Sequence, residues 1–216
     1  MRVVFGPSAR ALGKGLATPL EKWAEGRAES AGGIVMDAAR ITRESGMKPN
    51  AVPGRVLWPL LEKASVEEDS GLRARWAALL ANASMNPEGV LPSFVAILGE
   101  LAPIEARLLQ RIHEVSIQYT AITARTNNPM NTEADHLHAV AVVDMLRSEP
   151  LMADVGIDSG AAFDVYTGNL HRMELINSVA SPPNWDGLDF PLATTPFGDA
   201  FVAACMTPAE RASVSV

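Results

Sequence analysis

Residues 62–114, EKASVEEDSGLRARWAALLANASMNPEGVLPSFVAILGELAPIEARLLQRIHE, are the most strongly patterned stretch of the chain. The pattern predicts three helices joined by very short links, so the helices must pack on one another. Ser65 and Glu68 have the spacing of a capping box that opens the first helix. Asn86-Pro87 is predicted to end it, because the residue before a proline disfavours helix. The predicted apolar face of this helix consists of Leu72, Trp76, Leu79, Leu80 and Ala83.

Two further helices follow within the same stretch. A short one is predicted over residues 93–99. Pro103 is predicted to be the first residue of a longer one, since proline suits the first helical position. Trp76 is expected to pack against the longer helix. The predicted buried side chains of the two helices are Phe94, Ile97, Leu98, Ile104, Leu108, Leu109, Ile112 and Val115.

Three segments of this region, EKASVEED, LRARWAALLANAS and FVAILGELAPIEARLLQRI, closely resemble the abortive infection alpha family of bacterial proteins. The resemblance is dense over residues 53–113 and continues more loosely from residue 6 to about residue 205. It implies a role in antiviral defence, as the family is linked to phage resistance. It brings no catalytic residue to a position of this chain, so the chemistry is left open.

The composition predicts a folded cytoplasmic protein. The chain has 216 residues, of which 48% are hydrophobic and 20% are charged, enough apolar side chains for a core. Its single cysteine, Cys205, excludes a disulfide within the chain and fits a reducing compartment. No apolar run approaches the roughly 20 residues that span a membrane. The apolar part of MRVVFGPSAR is too short for a signal peptide, so no membrane association is expected.

The charge is distributed unevenly along the chain. Residues 1–102 contain 12 Lys and Arg against 11 Asp and Glu, which gives +1. Residues 103–216 contain 6 Arg and no Lys against 14 Asp and Glu, which gives −8 and accounts for the net charge of −7. A surface of that sign repels phosphate at long range, so the second half is a poor candidate for a nucleic-acid surface.

The first predicted domain, residues 1–101, is a helical bundle. Residues 7–30 and 34–45 are predicted helices. A break is predicted at Gly32-Gly33, because glycine weakens a helix interior. The predicted apolar face of the second helix consists of Ile34, Val35, Ala38 and Ile41.

A loop separates these helices from the central stretch. Gly46 is predicted to cap the preceding helix, and the prolines and glycine of residues 47–54 predict the loop itself. Pro59 is expected in the first turn of the short helix that follows, where proline is tolerated. The predicted buried residues of that helix are Val56, Leu57, Leu60 and Leu61.

The second predicted domain, residues 102–216, has a winged-helix-like layout. A helix is predicted over residues 160–172. Two short β runs flanking a turn rich in proline and glycine predict one β hairpin near residues 175–194. Thr195 is the predicted cap of a last helix, and Pro196 its first residue.

The sequence of the hairpin resembles the wing of winged-helix proteins. In those proteins a leucine-rich helix is followed by the residues G-L-I, and the second strand of the hairpin ends in L-T-x-x-G. Glu174 stands where that pattern has its glycine, so the helix is predicted to end in a different shape. The predicted fold class is therefore mainly α, with an N-terminal helical bundle and a winged-helix-like C-terminal region that contains one β hairpin.

Trp185 is the candidate partner-binding residue, because it lies in the predicted turn of the hairpin. An exposed tryptophan on a loop often anchors a protein interface. The same position fits a tryptophan that folds back onto the wing, since tryptophan is highly buried on average. The partner expected at this surface is a protein: a second copy of the chain in a homo-oligomer, a phage factor or a host factor.

The alternative function is that of a transcriptional regulator that binds DNA. In a helix-turn-helix the second helix enters the major groove, and that helix is 160–172 here. It offers His171 and Arg172 as nucleic-acid contacts and carries no lysine. Sequence-specific binders make several contacts from Arg or Lys to phosphate, so the charge of this half disfavours the alternative.

The spacing of the glycines disfavours a nucleotide site. The segment GPSARALGKG, residues 6–15, places six residues between its first two glycines, whereas a Walker loop has four. Gly15 follows Lys14, where the loop requires a Ser or Thr hydroxyl for magnesium. No cofactor is predicted.

The histidines and the cysteine also fit structural roles better than chemical ones. His136 and His138 lie two residues apart on a predicted helix and point to different faces, which favours a polar surface over a metal site. Cys205 lies in the apolar run FVAACM and is predicted to be a buried, inert thiol. His113 and His171 have no nearby pattern of a Ser or Cys nucleophile.

These observations predict a non-enzymatic protein of phage defence that acts through protein contacts. The DNA-binding regulator is the alternative. An enzyme whose site is assembled from distant residues is a third possibility that no motif supports.

Overall fold

The computed structural model describes residues 7–126, 141–178 and 191–214. Most of these residues are helical, and they contain a single two-stranded sheet. The prediction of a mainly α protein with one β hairpin is therefore confirmed. The helices are α1 Pro7–Glu44, α2 Gly54–Ala64, α3 Ser70–Met85, α4 Pro92–Leu98, α5 Pro103–Thr126, α6 Ser148–Val155, α7 Gly160–Arg172, α8 Pro196–Ala204 and α9 Pro208–Val214.

Helix α3 is the centre of the fold. It packs against α1, α2, α5 and α8. Its predicted apolar face is buried, and so are the alanines Ala77, Ala78 and Ala81 on its other sides. A helix that is apolar all round belongs in a core, and small side chains let its neighbours approach closely. The predicted end of α3, the bounds of α4 and the start of α5 are also confirmed: α3 is followed by Asn86, α4 covers nearly the predicted residues, and α5 begins at Pro103.

The predicted capping box at the start of α3 is wrong. Asp69 is the cap, because its Oδ1 accepts a hydrogen bond from the backbone N–H of Leu72 at 2.9 Å. Ser65 instead closes α2, where its hydroxyl donates to the carbonyl of Glu62 at 2.7 Å. Serine and aspartate both cap helices well, and the prediction considered only the serine. In the structure α2 ends at Ser65 and α3 begins after Asp69.

The predicted break at Gly32-Gly33 is also wrong, because α1 runs through both glycines to Glu44. Two glycines destabilise a helix by about 1 kcal/mol each. Burial of Ile34, Ala38 and Ile41 offsets that loss, since α1 lies along α3 through this segment. Tertiary packing therefore overrides the local preference.

The loop after α1 begins with the predicted glycine cap, but the predicted position of the proline in α2 is wrong. Gly46 has φ 70°, the left-handed conformation of a glycine cap, as predicted. Pro59 lies in the middle of α2 and not in its first turn, so that prediction is wrong. Proline removes one backbone hydrogen bond, which would have gone to the carbonyl of Arg55. Arg55 and Pro59 are both exposed, so water can serve that carbonyl, while Val56 and Leu60 hold the opposite face in the core.

The β hairpin is formed by β1 Ile176–Ser178 and β2 Leu192–Thr194. The strands are antiparallel, with Ile176 opposite Thr194 and Ser178 opposite Leu192. Residues 179–190 lie outside the described residues, so the wing itself stays a prediction. β2 packs along α5, which attaches the hairpin to the helical core.

The join between the hairpin and α8 is tight. Thr195 caps α8, accepting from the backbone N–H of Gly198 at 2.9 Å, and Pro196 is the first residue of the helix, as predicted. A Cβ on Gly198 would come within 2.0 Å of the carbonyl oxygen of Leu175, so only glycine fits. Glu174 has φ 59°, which is the left-handed conformation usual for glycine. The helix therefore ends there in the glycine-like shape, contrary to the prediction of a different shape.

The buried hydrophobic residues form one contiguous cluster, from Ile34 in α1 to Met206 after α8. Residues of both predicted domains contribute to it. The predicted domain boundary between residues 101 and 102 therefore stays a prediction.

Candidate functional site

The predicted contact residue Trp185 and the paired histidines His136 and His138 all lie outside the described residues. Those predictions therefore stay predictions. Within the described residues, no group of three or more His, Cys, Asp or Glu side chains is arranged to hold a metal ion.

The predicted DNA-contacting residues lie at the exposed C-terminal end of α7. Arg172 donates from Nη2 to Glu100 Oε2 at 2.9 Å and from Nε to Asn169 Oδ1 at 3.0 Å. His171 beside it is exposed. A phosphate at this position would compete with Glu100 for the guanidinium. An exposed pair of this kind contributes at most about 1 kcal/mol, but it places a carboxylate where a DNA backbone would pass.

The glycines around Lys14 lie within α1, which is helical from Pro7 onward. Past the first turn of a helix the backbone N–H groups donate to carbonyls within it. They do not face outward as they do in a phosphate-binding loop.

Cys205 is buried, as predicted. Burial raises the pKa of its thiol to about 12, although the positive charge of Arg75 acts in the opposite direction. Because the thiolate is the reactive form of cysteine, this side chain is inert at neutral pH.

A polar cluster joins α5 to the hairpin, and no sequence motif indicated it. His113 Nδ1 lies 2.9 Å from Asp199 Oδ1, and the same oxygen accepts from the hydroxyl of Thr194. Burial would raise the pKa of the Asp199 carboxyl, but the hydrogen bonds from His113 and Thr194 outweigh it and hold that pKa below its ordinary value. Ser116, one turn after His113, accepts from the backbone N–H of Thr194 at 3.3 Å.

This cluster is arranged for holding elements together. A hydroxyl nucleophile must give its proton to a base such as histidine. The hydroxyl of Thr194 donates to Asp199, and that of Ser116 donates to the carbonyl of Ile112 at 2.7 Å. Both protons are therefore committed to acceptors other than His113. The cluster ties α5, β2 and the start of α8 into one unit.

A second polar junction ties the C-terminal segment to α3. Asn82, which is buried, donates from Nδ2 to the carbonyls of Ala204 and Met206, both at 2.8 Å. Its Oδ1 accepts from Arg211 at 3.0 Å. Two turns earlier, Arg75 forms an ion pair with Glu210 at 3.0 Å. These bonds position α8 and α9 against the central helix.

Beside this junction lies a cavity of about 460 Å³ between α1, α3 and α9, with several charged side chains in its lining. Its charged lining consists of two arginines and three carboxylates, and both arginines are held in ion pairs. Arg40 contacts Asp37 and Glu44, and Arg75 contacts Glu210. Every charged side chain of the lining is therefore already in an ion pair, and the lining as a whole keeps a net charge of −1.

The candidate functional site is an apolar groove of about 580 Å³ on the opposite side of α1. One wall is α1, the other is α2 with the loop after α1, and the floor is α3. Arg43 is the charged member of its lining. The residues that line it are Val35, Ala38, Ala39, Thr42, Arg43, Gly46, Met47, Pro49, Leu57, Leu80 and Ser84.

Large apolar side chains are exposed in the lining of this groove and elsewhere on the helices that form its walls. Met47 is 52% exposed, and Trp58, which follows Leu57 in α2, is 69% exposed. Met36, one turn before Ala39, is exposed as well. Contiguous exposed apolar surface on a folded protein marks an interaction site. Tryptophan and methionine are also the residues that protein interfaces favour.

Sequence reasoning missed this groove, although a signal for it existed. Val35 was placed on the buried face of its helix, yet it is 42% exposed. The run from Val56 to Leu61 is apolar at every position, and one face of a helix cannot bury six consecutive residues. Trp58 is the residue that the geometry leaves outside. Comparing the number of apolar residues in this run with the number that one helix face can bury would have predicted exposed apolar surface here.

The part of the chain that the structure describes contains no helix with both the length and the apolarity needed to cross a membrane. Residues 35–205 match the family described as abortive infection alpha. The match covers most of the chain and includes the groove, the central helices and the hairpin. The chain therefore belongs to the abortive infection alpha family, as the resemblance implied, which connects it with abortive infection.

Comparison with curated proteins found no match. Comparison with solved structures found none either.

Proposed function

We propose that the protein acts in phage defence in the bacterial cytoplasm, without catalysing a reaction, by binding another protein. The observation that carries this proposal is the apolar groove between α1 and α2, with Met47 exposed in its lining and Trp58 exposed on α2. Family membership supports the biological setting. All residues that line the groove lie within the part of the chain that matches the family.

The polar groups described above support the non-enzymatic part of the proposal. Cys205 is buried with a raised pKa, and the hydroxyls near His113 donate to other acceptors. Each of these groups is used to join elements of the fold. The partner in this proposal is a phage or host factor, or a second copy of the chain.

Trp185 is proposed as a second contact point, on the predicted turn of the hairpin. It would enlarge the contact surface with an aromatic side chain of low conformational entropy. DNA binding through α7 is the competing proposal. No observation favours it, since Arg172 is paired with Glu100.

The test is phage challenge of bacteria that express the protein, with plaques counted for wild type, Trp58→Ala, Trp185→Ala and Arg172→Ala. The proposal expects that one or both tryptophan variants lose protection and that Arg172→Ala keeps it. Light scattering of the same variants reports self-association. Loss of protection in Arg172→Ala alone, together with loss of a sequence-specific shift on phage or host DNA, would make the protein a regulator instead.

A further inference from the structure

The groove has the shape of a trough for a short helix. Its α1 wall extends from Val35 to Arg43, which is two and a half turns, or about 12 Å at 1.5 Å per residue. Leu80 forms part of the floor and Leu57 part of the opposite wall. An amphipathic helix binds such a trough by placing side chains at i, i+4 and i+7 along the apolar floor.

The charge at the groove has one sign. Arg43 lines it, and Lys48 lies in the loop that closes its end; both are exposed. Within the described part of the chain, neither cation is held by a hydrogen bond or an ion pair. The nearest acidic residues of α1, Asp37 and Glu44, line the cavity between α1, α3 and α9 on the other side, where both contact Arg40. The groove therefore combines an apolar floor with a cationic edge.

This charge argues against a symmetric dimer through the groove. In a two-fold interface the same patch meets itself, so Arg43 and Lys48 would approach their own copies. Like charges brought together across an interface cost free energy, whereas a partner with acidic residues gains it. The favoured occupant is thus a different surface that carries carboxylates.

We infer that the groove binds an acidic amphipathic helix of another protein. Apolar side chains of that helix occupy the trough over Leu57 and Leu80, and flanking Glu or Asp side chains pair with Arg43 and Lys48. The inference rests on the proposed function, because it states which class of partner the contact surface takes.

The test uses two synthetic probes and the full-length chain. The first is a fluorescein-labelled helical peptide of about 14 residues, or four turns, with leucines at i, i+4, i+7 and i+11 and glutamates beside them. The second is the same peptide with every glutamate replaced by lysine. Fluorescence anisotropy should show the acidic peptide binding at least about tenfold more tightly than the basic one, with the difference shrinking as salt is raised.

Three variants locate the binding. Met47→Glu should weaken binding of the acidic peptide by at least about tenfold, because it places a carboxylate in the trough. Ala39→Glu, at an exposed position on the α1 wall, serves the same purpose if Met47→Glu does not fold. Val165→Glu is the matched control, since Val165 is 68% exposed on α7 and should leave binding unchanged. Arg43→Glu combined with Lys48→Glu should reverse the preference in favour of the basic peptide.

Two results would overturn the inference. One is equal affinity for the two peptides, or binding that the groove variants do not change. The other is concentration-dependent self-association of wild type that Ala39→Glu abolishes without any peptide binding, which would assign the groove to a second copy of the chain. Plaque counts on the same variants separate this inference from the proposed function. Protection that persists without peptide binding refutes the helix partner and leaves the protein-contact function standing.

Discussion

Replacing Asn82 with alanine should destabilise the fold by about 2–4 kcal/mol. The side chain is buried in α3, and its amide donates to the carbonyls of Ala204 and Met206 at 2.8 Å each. Those carbonyls belong to the end of α8 and the residues after it, where a helix leaves its last acceptors without partners. Asn82 supplies the donors.

The magnitude follows from what the substitution leaves behind. A buried carbonyl that loses its donor costs about 1–3 kcal/mol, so two carbonyls set a range of about 2–6 kcal/mol. The lower part of that range applies, because removing the amide opens space that water can enter. The bond from Arg211 to Asn82 adds little, since a partly exposed guanidinium finds water instead.

Urea unfolding followed by circular dichroism measures the effect, and an unchanged slope shows that stability alone has changed. Asn50→Ala is the matched control. Asn50 also donates to two carbonyls at a helix end, Ser84 and Met85, but it is exposed and both distances are 3.4 Å, so the loss should stay under about 0.5 kcal/mol. Asn82→Asp should destabilise as well, because it turns the donor into an acceptor of almost the same size. If Asn82→Ala unfolds with the free energy of Asn50→Ala, the junction is not buried as described and the reasoning is refuted.

Four further predictions concern single side chains. Trp76→Ala should lower stability by about 3–5 kcal/mol, as for other buried aromatic residues, and an unchanged thermal midpoint would show that α3 is not central. Gly198→Ala should destabilise by about 1–3 kcal/mol or more, because its Cβ would meet the carbonyl of Leu175, and a soluble variant with the wild-type melting temperature would contradict that contact. Cys205 should resist alkylation at neutral pH in the native protein, since burial raises its pKa to about 12, and it should react once urea unfolds the chain. Equal rates of alkylation in the native and unfolded states would disprove its burial. Asp199→Asn should destabilise the protein at neutral pH, because a carboxylate with a lowered pKa contributes stability when it is ionised. The difference in unfolding free energy from wild type should disappear as the pH falls below the ordinary carboxyl pKa of 3.8 and through the lowered pKa of Asp199. A difference that does not depend on pH would show that this carboxylate is not its source.

The central helices could be predicted because their signals are local. Pro103 at the first position of α5 and Asn86-Pro87 after α3 act through the backbone of a few residues. The period of the apolar residues around Trp76 needs no knowledge of the partner helix. The hairpin and its exit through Thr195 were predicted for the same reason.

The wrong predictions lie where tertiary packing overrides the local preferences of the backbone. Gly32-Gly33 should end a helix, and Pro59 should not lie within one, yet both are helical since the neighbouring apolar residues gain more from the core than the backbone loses. Glu174 takes a left-handed conformation because the chain must turn there to place β1. That conformation costs a non-glycine residue about 1–2 kcal/mol of conformational free energy, and tertiary packing offsets this cost.

The candidate site depended on relations that no sequence motif contains. His113 and Asp199 are 86 positions apart, and Asn82 lies 122 positions from Ala204. The groove is defined by what the fold leaves uncovered, which depends on the angle between α1 and α2.

The sequence by itself determined the class of fold, the family and the placement of the central helices, because periodicity, caps and prolines act over a few residues. Only the tertiary structure decided that α1 is continuous and that Asp69 and not Ser65 caps α3. It also decided that Met47 is exposed in an apolar groove and Trp58 on the surface of α2. Burial is a property of the assembled chain: each apolar residue seeks the core, and the geometry of packed helices decides which of them are left outside it.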